Sequence, residues 1–194
     1  MDPLAKNILF VVLFTLIGGL FSASEMALVS LRETQVEEMA ARRPSGRTVK
    51  RLTEDSNRFL SAVQVGVTVT GFFSASFGAS EIAPIVAPVL REWGVSSSGA
   101  STLAFVLVTI AIAYLSIVFG ELVPKRIALQ SAEAIAGLVA RPLAAITALL
   151  RPVVWFLGVS TNVVLRLFGR NPEAQKDTMG LAELRAFVAG QEEI

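Results

Sequence analysis

The sequence contains no cysteine and no histidine. Without thiols there are no disulfides and no thiolate nucleophile, and zinc, copper or iron sites ligated by His or Cys are excluded. Ser–His–Asp and Cys–His hydrolase arrangements are excluded for the same reason. Nothing else makes a nucleophile–base pair, so no enzyme is expected. Any metal must be held by oxygen, which points to magnesium, calcium or alkali cations. Charge is scarce as well. Only 17% of the 194 residues are Asp, Glu, Lys or Arg, against roughly 25% in a soluble domain. A net charge of +1 gives no general attraction for nucleic acid, and no such partner is expected.

What is present is apolar surface: 53% of residues are hydrophobic and the mean hydropathy is +0.63. Four stretches carry it. Leu4 to Leu31 is interrupted only by Lys6 and Glu25, while Phe59 to Gly78 and Thr102 to Val123 lack charge until Glu121. Each supplies roughly the 20 residues needed to cross a bilayer. The first is too long, and too acidic at Asp2, to be read as a cleaved signal peptide. The fourth, Pro142 to Phe168, carries Arg151, Pro152 and Arg166.

Basic residues orient the spans. Arg32, Arg42, Arg43, Arg47, Lys50, Arg51 and Arg58 lie between the first and second, and only Arg91 between the second and third. The N-terminus is therefore expected outside. A fourth span would carry Arg166 outward, so residues 142–168 are expected to lie in the cytoplasmic interface as a helix or bent hairpin. The expected fold is an all-α, multi-pass membrane protein with three transmembrane helices and a juxtamembrane helical belt. Residues 1–170 form the transmembrane domain, and 171–194, with the thin stripe Leu181, Leu184 and Val188, begin a cytosolic linker helix. No internal repeat is legible.

Polar groups inside the spans carry the chemistry. In the second span Ser61, Gln64, Thr68, Gly71, Ala75 and Gly78 recur at helical spacing on one face. Such a face serves close helix packing, but a buried amide such as Gln64 must also find partners. In the first span Gly18, Ser22 and Glu25 share a face, and Ser24 points about 160° away from Ser22. Glu25 either pairs with Arg32 or Arg58 or serves an ion. The third span ends in Phe119-Gly120-Glu121-Leu122-Val123-Pro124-Lys125-Arg126. A carboxylate there needs a partner or a task, either Lys125 or Arg126 in an ion pair, or a cation. Pro124 has no N–H, so the Gly120 carbonyl loses its usual donor. Ser22, Gln64, Thr68 and Glu121 all fall in the cytoplasmic half, with Ser22 roughly 12 Å deep. Ser24, Glu25 and Lys125 form a second tier of ligand or gating candidates.

Three segments, Phe21-Ser22-Ala23-Ser24-Glu25-Met26-Ala27-Leu28, Leu60-Ser61-Ala62-Val63-Gln64-Val65-Gly66-Val67-Thr68 and Gly120-Glu121-Leu122-Val123-Pro124-Lys125, together resemble the transmembrane domain of the CorC/cyclin-M magnesium transporters. The resemblance implies a homodimer in the plasma membrane (the inner membrane of a prokaryote) that exports Mg2+, thought to be driven by Na+. It places a dehydrated or partly dehydrated Mg2+ between the spans. Ser22, Gln64, Thr68 and Glu121 match the family's ligand positions, with the carbonyls of Gly66 and Gly120 as candidates to complete the shell. Family members normally continue into CBS domains that bind adenine nucleotide, so ATP would act only through domains absent from this chain. A membrane-anchored regulatory subunit that senses Mg2+ without moving it is the alternative.

Overall fold

Glycine, serine and proline divide the apolar sequence into helices. In the computed structural model, which describes residues 3–169, the elements are α1 (Pro3–Ser30), α2 (Glu33–Arg42), α3 (Pro44–Glu54), α4 (Ser56–Phe77), α5 (Ala83–Glu92), α6 (Ser97–Ile117), α7 (Val123–Gln130), α8 (Ala132–Leu149) and α9 (Arg151–Leu167). Two five-residue π-helical turns, Gly78–Ile82 and Val118–Leu122, join α4 to α5 and α6 to α7. Among the described residues every element is helical.

The connections follow from local chemistry. After α5, Gly94 takes φ 89°, the Gly94 N–H reaches the Arg91 carbonyl and the Val95 N–H reaches that of Leu90. This is a glycine-terminated helix end, and a side chain there would be strained. Ser96 then caps α6, its hydroxyl accepting from the Gly99 N–H at 3.3 Å. Pro44 opens α3 at a position where its missing N–H costs nothing.

α1 organises the larger unit, residues 1–150. It runs antiparallel to α4, with Phe10 against Phe77 and Phe14 stacked on Phe73 at 5.4 Å. At one end of α1, Ala27 and Leu28 join Val36, Val49, Phe59, Val63, Ala128, Ala136, Ala140 and Leu143 in an apolar cluster. At the other end, Val11 joins Ala83, Ala87, Leu90, Ala100, Ala104, Val108 and Ile112. Between the clusters lies a band of small and polar residues: Thr15, Gly18, Gly19 and Ser22 on α1, and Thr70 and Ser74 on α4. Outward faces such as Leu9, Leu13, Leu16 and Leu20 are exposed and apolar, as helices in lipid require.

Four helical stretches are long and apolar enough to cross a membrane: Pro3–Ser30, Ser56–Glu92, Ser97–Gln130 and Ala132–Leu149. Residues 142–168, expected from the sequence as a helix or bent hairpin, fall in two helices, because Leu150 leaves helical geometry at ψ 0° and Pro152 sits at the start of the next helix. α8 thus begins well before Pro142, at Ala132, and packs Ala136, Ala140 and Leu143 into the cluster with α2 and α3. Gln35 of α2 also donates to Glu133 of α8 at 2.7 Å. α9 belongs to a separate unit and has no buried residue; Trp155, Phe156 and Leu157 are exposed on it. The linker expected over residues 171–194 lies outside the described residues.

Two glycines on this framework should respond oppositely to a methyl group. A Cβ on Gly46 would collide with the Met39 backbone carbonyl, whereas one on Gly71 meets nothing within 4 Å. Gly46→Ala is expected to lose about 1–3 kcal/mol, and Gly71→Ala to be neutral or to gain about 0.5–1 kcal/mol from lower unfolded-chain entropy. Thermal unfolding of the two variants in detergent checks the contrast.

Candidate metal centre

Pro124 shapes the centre. It is the second residue of α7, and the turn before it closes in the π register, the Val123 N–H donating to the Val118 carbonyl. With that N–H engaged and Pro124 offering none, the Phe119 carbonyl loses the donors of both the α and the π registers. Sequence reasoning gives that role to Gly120, whose i+4 residue is Pro124, and the π-turn adds Phe119 to it.

α1 approaches this backbone closely. A Cβ on Gly19 would lie 2.8 Å from the Phe119 oxygen and 3.0 Å from Pro124 Cγ, so only glycine permits the crossing. Gly120 in turn lies against Thr15, whose carbonyl oxygen is 3.4 Å from where its Cβ would be. The helices leave a cleft of about 30 Å³, lined by Thr15, Gly18, Thr70, Ser116, Gly120 and Glu121 among others. That is room for an ion with one or two waters.

Glu121 is half-buried and has no ion-pair partner among the described residues, so Lys125 and Arg126 do not neutralise it. Lys125 instead reaches Glu25 on α1, Nζ to Oε2 at 3.4 Å. Glu25 is thereby matched by Lys125 rather than by Arg32 or Arg58, and Arg58 faces Asp55 at 3.7 Å. One carboxylate of the pair of candidates is balanced and the other is left with net charge.

The hydroxyls divide in the same way. Ser24 donates to the Leu20 carbonyl at 2.6 Å, the local bond a membrane serine ordinarily makes. Ser22, one turn beyond Gly18, is fully buried and its Oγ has no partner. Leaving such a group unsatisfied costs about 1–3 kcal/mol. Thr70 donates to the Gly66 carbonyl at 2.8 Å, and its oxygen would be 3.0 Å from a Cβ on Gly18, so its lone pairs face α1. Gly66 is buried beneath the Phe21 ring, with its carbonyl engaged by Thr70.

Gln64 and Thr68 stand apart. Both are exposed on α4, on the face that reaches the cleft only at Gly71. The chain alone brings together Thr15, Thr70, Gly120 and Glu121, with Ser22 one turn beyond Gly18 at the edge, and does not bring Gln64 or Thr68 to them. Thr15 and Thr70 escaped the sequence reading. Thr15 shares the stripe of Gly18 and Ser22, which was legible, but Thr70 is on the face of α4 next to the one its small residues mark.

Among the described residues no three Asp or Glu side chains cluster. A cation here would be met by one carboxylate plus neutral hydroxyl and carbonyl oxygens. That set suits a hard ion, and its single charge keeps binding weak enough for release. Because Ser22 Oγ has no partner, Ser22→Ala is expected to raise the stability of ion-free protein by about 1–3 kcal/mol. Thermal unfolding in EDTA measures this, and a fall instead of a rise would show that the hydroxyl is satisfied.

Residues 8–193 match the family described as the cyclin M transmembrane N-terminal domain. Among curated proteins, the chain is 40% identical over 164 residues to UPF0053 protein sll0260 of Synechocystis, covering 84% of this chain and 37% of that protein. It is 30% identical to UPF0053 protein YrkA of Bacillus subtilis, covering 88% and 40% of the two chains. It is 32% identical to a polyamine export protein of Haemophilus influenzae, covering 97% and 44%. The chain thus spans about two fifths of the length of these relatives. With its three motifs, its helical architecture and the match over nearly its whole length, the chain belongs to the cyclin M transmembrane-domain family.

Proposed function

We propose that this chain is the membrane domain of a Mg2+ exporter, with the ion taken up from the cytoplasm at the Glu121 turn. The observation that carries the reading is an unneutralised carboxylate lining a cleft sized for one small ion, in a turn whose Phe119 carbonyl is stripped of donors. Mg2+ favours six oxygens at short range and parts with water reluctantly. A cleft of about 30 Å³ requires it to shed most of its shell. Glu121 supplies the charge, and Thr15, Thr70, Ser22 and the Phe119 carbonyl supply neutral oxygen.

In this reading α1, α4 and α6 span the membrane with the N-terminus outside. α8, bound to the polar hairpin of α2 and α3, lies in the cytoplasmic interface of the prokaryotic inner membrane. The exposed face with Gln64 and Thr68 packs against a second copy, whose approach would complete the shell. Na+ competes for the same oxygens with one charge fewer, so a Na+ gradient can drive release. ATP acts only through domains outside this chain.

The name of the Haemophilus relative favours a second reading, polyamine export, in which Glu121 meets an ammonium group. The cleft is too small for an extended polyamine, which weighs toward the ion. Proteoliposomes decide between them. Expected is Mg2+ flux that depends on a Na+ gradient and falls at least tenfold in Glu121→Gln, about 1.4 kcal/mol or more. Spermidine flux without Mg2+ flux would establish the polyamine reading. Mg2+ binding with no flux of either would establish a sensor, and binding unchanged in Glu121→Gln would sink the site.

A further inference from the structure

The two long stretches Ser56–Glu92 and Ser97–Gln130 carry one device twice. Each begins with a helix of similar length, 22 residues in α4 and 21 in α6, followed by a five-residue π-turn and a shorter helix. The fourth residue of each turn is a glutamate, Glu81 or Glu121, and the second residue of each following helix is a proline, Pro84 or Pro124. The backbone agrees. Ala83 N–H donates to Gly78 O just as Val123 N–H donates to Val118 O. With Pro84 silent, the Ala79 carbonyl is stripped of both its donors, like that of Phe119.

The two copies point in opposite directions. α4 runs antiparallel to α1. α6 runs parallel to it, since Val11 packs with Val108 and Ile112 while Gly19 meets Phe119 and Glu25 meets Lys125. The Glu81 turn therefore sits at the end of the bundle remote from Glu121. Inverted pairs of interrupted helices are how many transporters build matching access from two sides.

Independent observations at the Glu81 end point to a ligand. Asn7 is nine-tenths buried on the inner stripe of α1, and among the described residues its side chain makes no hydrogen bond. The register that sets Phe10 against Phe77 brings Asn7 level with Ser80, inside the π-turn. Thr109 Oγ1, a turn from the Ile112 side chain that covers Gly78, is buried and unpartnered as well. Glu81 itself is exposed and has no ion-pair partner among the described residues. The remote end thus repeats the composition of the Glu121 end: a lone carboxylate, a stripped carbonyl and, on the facing helices, an orphaned hydroxyl at Thr109 and the amide of Asn7.

We propose that Glu81, the Ala79 carbonyl and the Asn7 amide form a second hard-cation site at the remote end of the bundle, the place from which a divalent ion departs. This rests on the reading of the Glu121 turn as the entry site. Thr15, Ser74 and Thr109 mark the buried polar path between the two.

The absence of cysteine makes the test direct. A nitroxide is attached through Ile85→Cys, one turn past Glu81, or through Ile127→Cys beyond Glu121; both positions are exposed. Mn2+ is the probe, and paramagnetic broadening of each label is measured in nanodiscs. Expected is broadening at both positions. Glu81→Gln should weaken the effect at residue 85 about tenfold or more and spare that at residue 127, with Glu121→Gln doing the reverse. Asn7→Ala should weaken the residue 85 signal alone, and no change would remove Asn7 from the site. Broadening confined to residue 127 overturns the second site and leaves the entry site standing. Silence at residue 127 overturns the entry site. Broadening at residue 85 that ignores Glu81→Gln overturns the assignment of ligands.

Discussion

The close approach of α1 to the backbone of residues 119–120 is the constraint on which the rest depends. Gly19 carries no side chain, so the Phe119 carbonyl and Pro124 ring can lie against α1. Remove that allowance and the cleft between Thr15, Thr70 and Glu121 opens, Lys125 withdraws from Glu25, and α7 loses its seat. The apolar clusters at either end of α1 act as clamps that hold this crossing in place. Their burial supplies the stabilisation that an unsatisfied Ser22 and a half-buried Glu121 withdraw.

Electrostatics sharpen the division of labour. Two carboxylates and one ammonium group lie near the crossing, and the pairing of Glu25 with Lys125 leaves Glu121 as the net charge. In a medium of low dielectric a balanced pair is nearly silent while a lone carboxylate has a long reach. The bundle therefore offers a cation one charged partner and several neutral ones.

Much of this was legible from residues alone. Hydropathy located α1, α4 and α6, and the cost of an intramembrane carboxylate drew attention to Glu121 and Glu25. Periodicity placed Ser22 on the face of Gly18. Other features were hidden because they depend on backbone register or on which face meets which. A proline three residues after a glutamate foretells a disturbed helix, but not that the disturbance is a π-turn that frees Phe119 as well as Gly120. The small-residue stripe of α4 gave a face, and the neighbouring face with Thr70 and Ser74 is the one that packs on α1. The inverted repetition of the two turns is invisible to sequence comparison, since Gly78-Ala79-Ser80-Glu81-Ile82-Ala83-Pro84 and Val118-Phe119-Gly120-Glu121-Leu122-Val123-Pro124 share only Glu and Pro in register.

A π-turn also has a bearing on length. It houses one residue more than the α-helical turn it replaces, so everything beyond it is rotated by about 100° from the phase of an unbroken helix. Lys125 meets Glu25 only in that rotated frame. Losing one residue between Val118 and Leu122 would restore a regular helix and swing Lys125 to another face, whatever residue was lost. This segment is thus guarded by count as much as by identity: it can exchange side chains far more freely than it can change its number of residues.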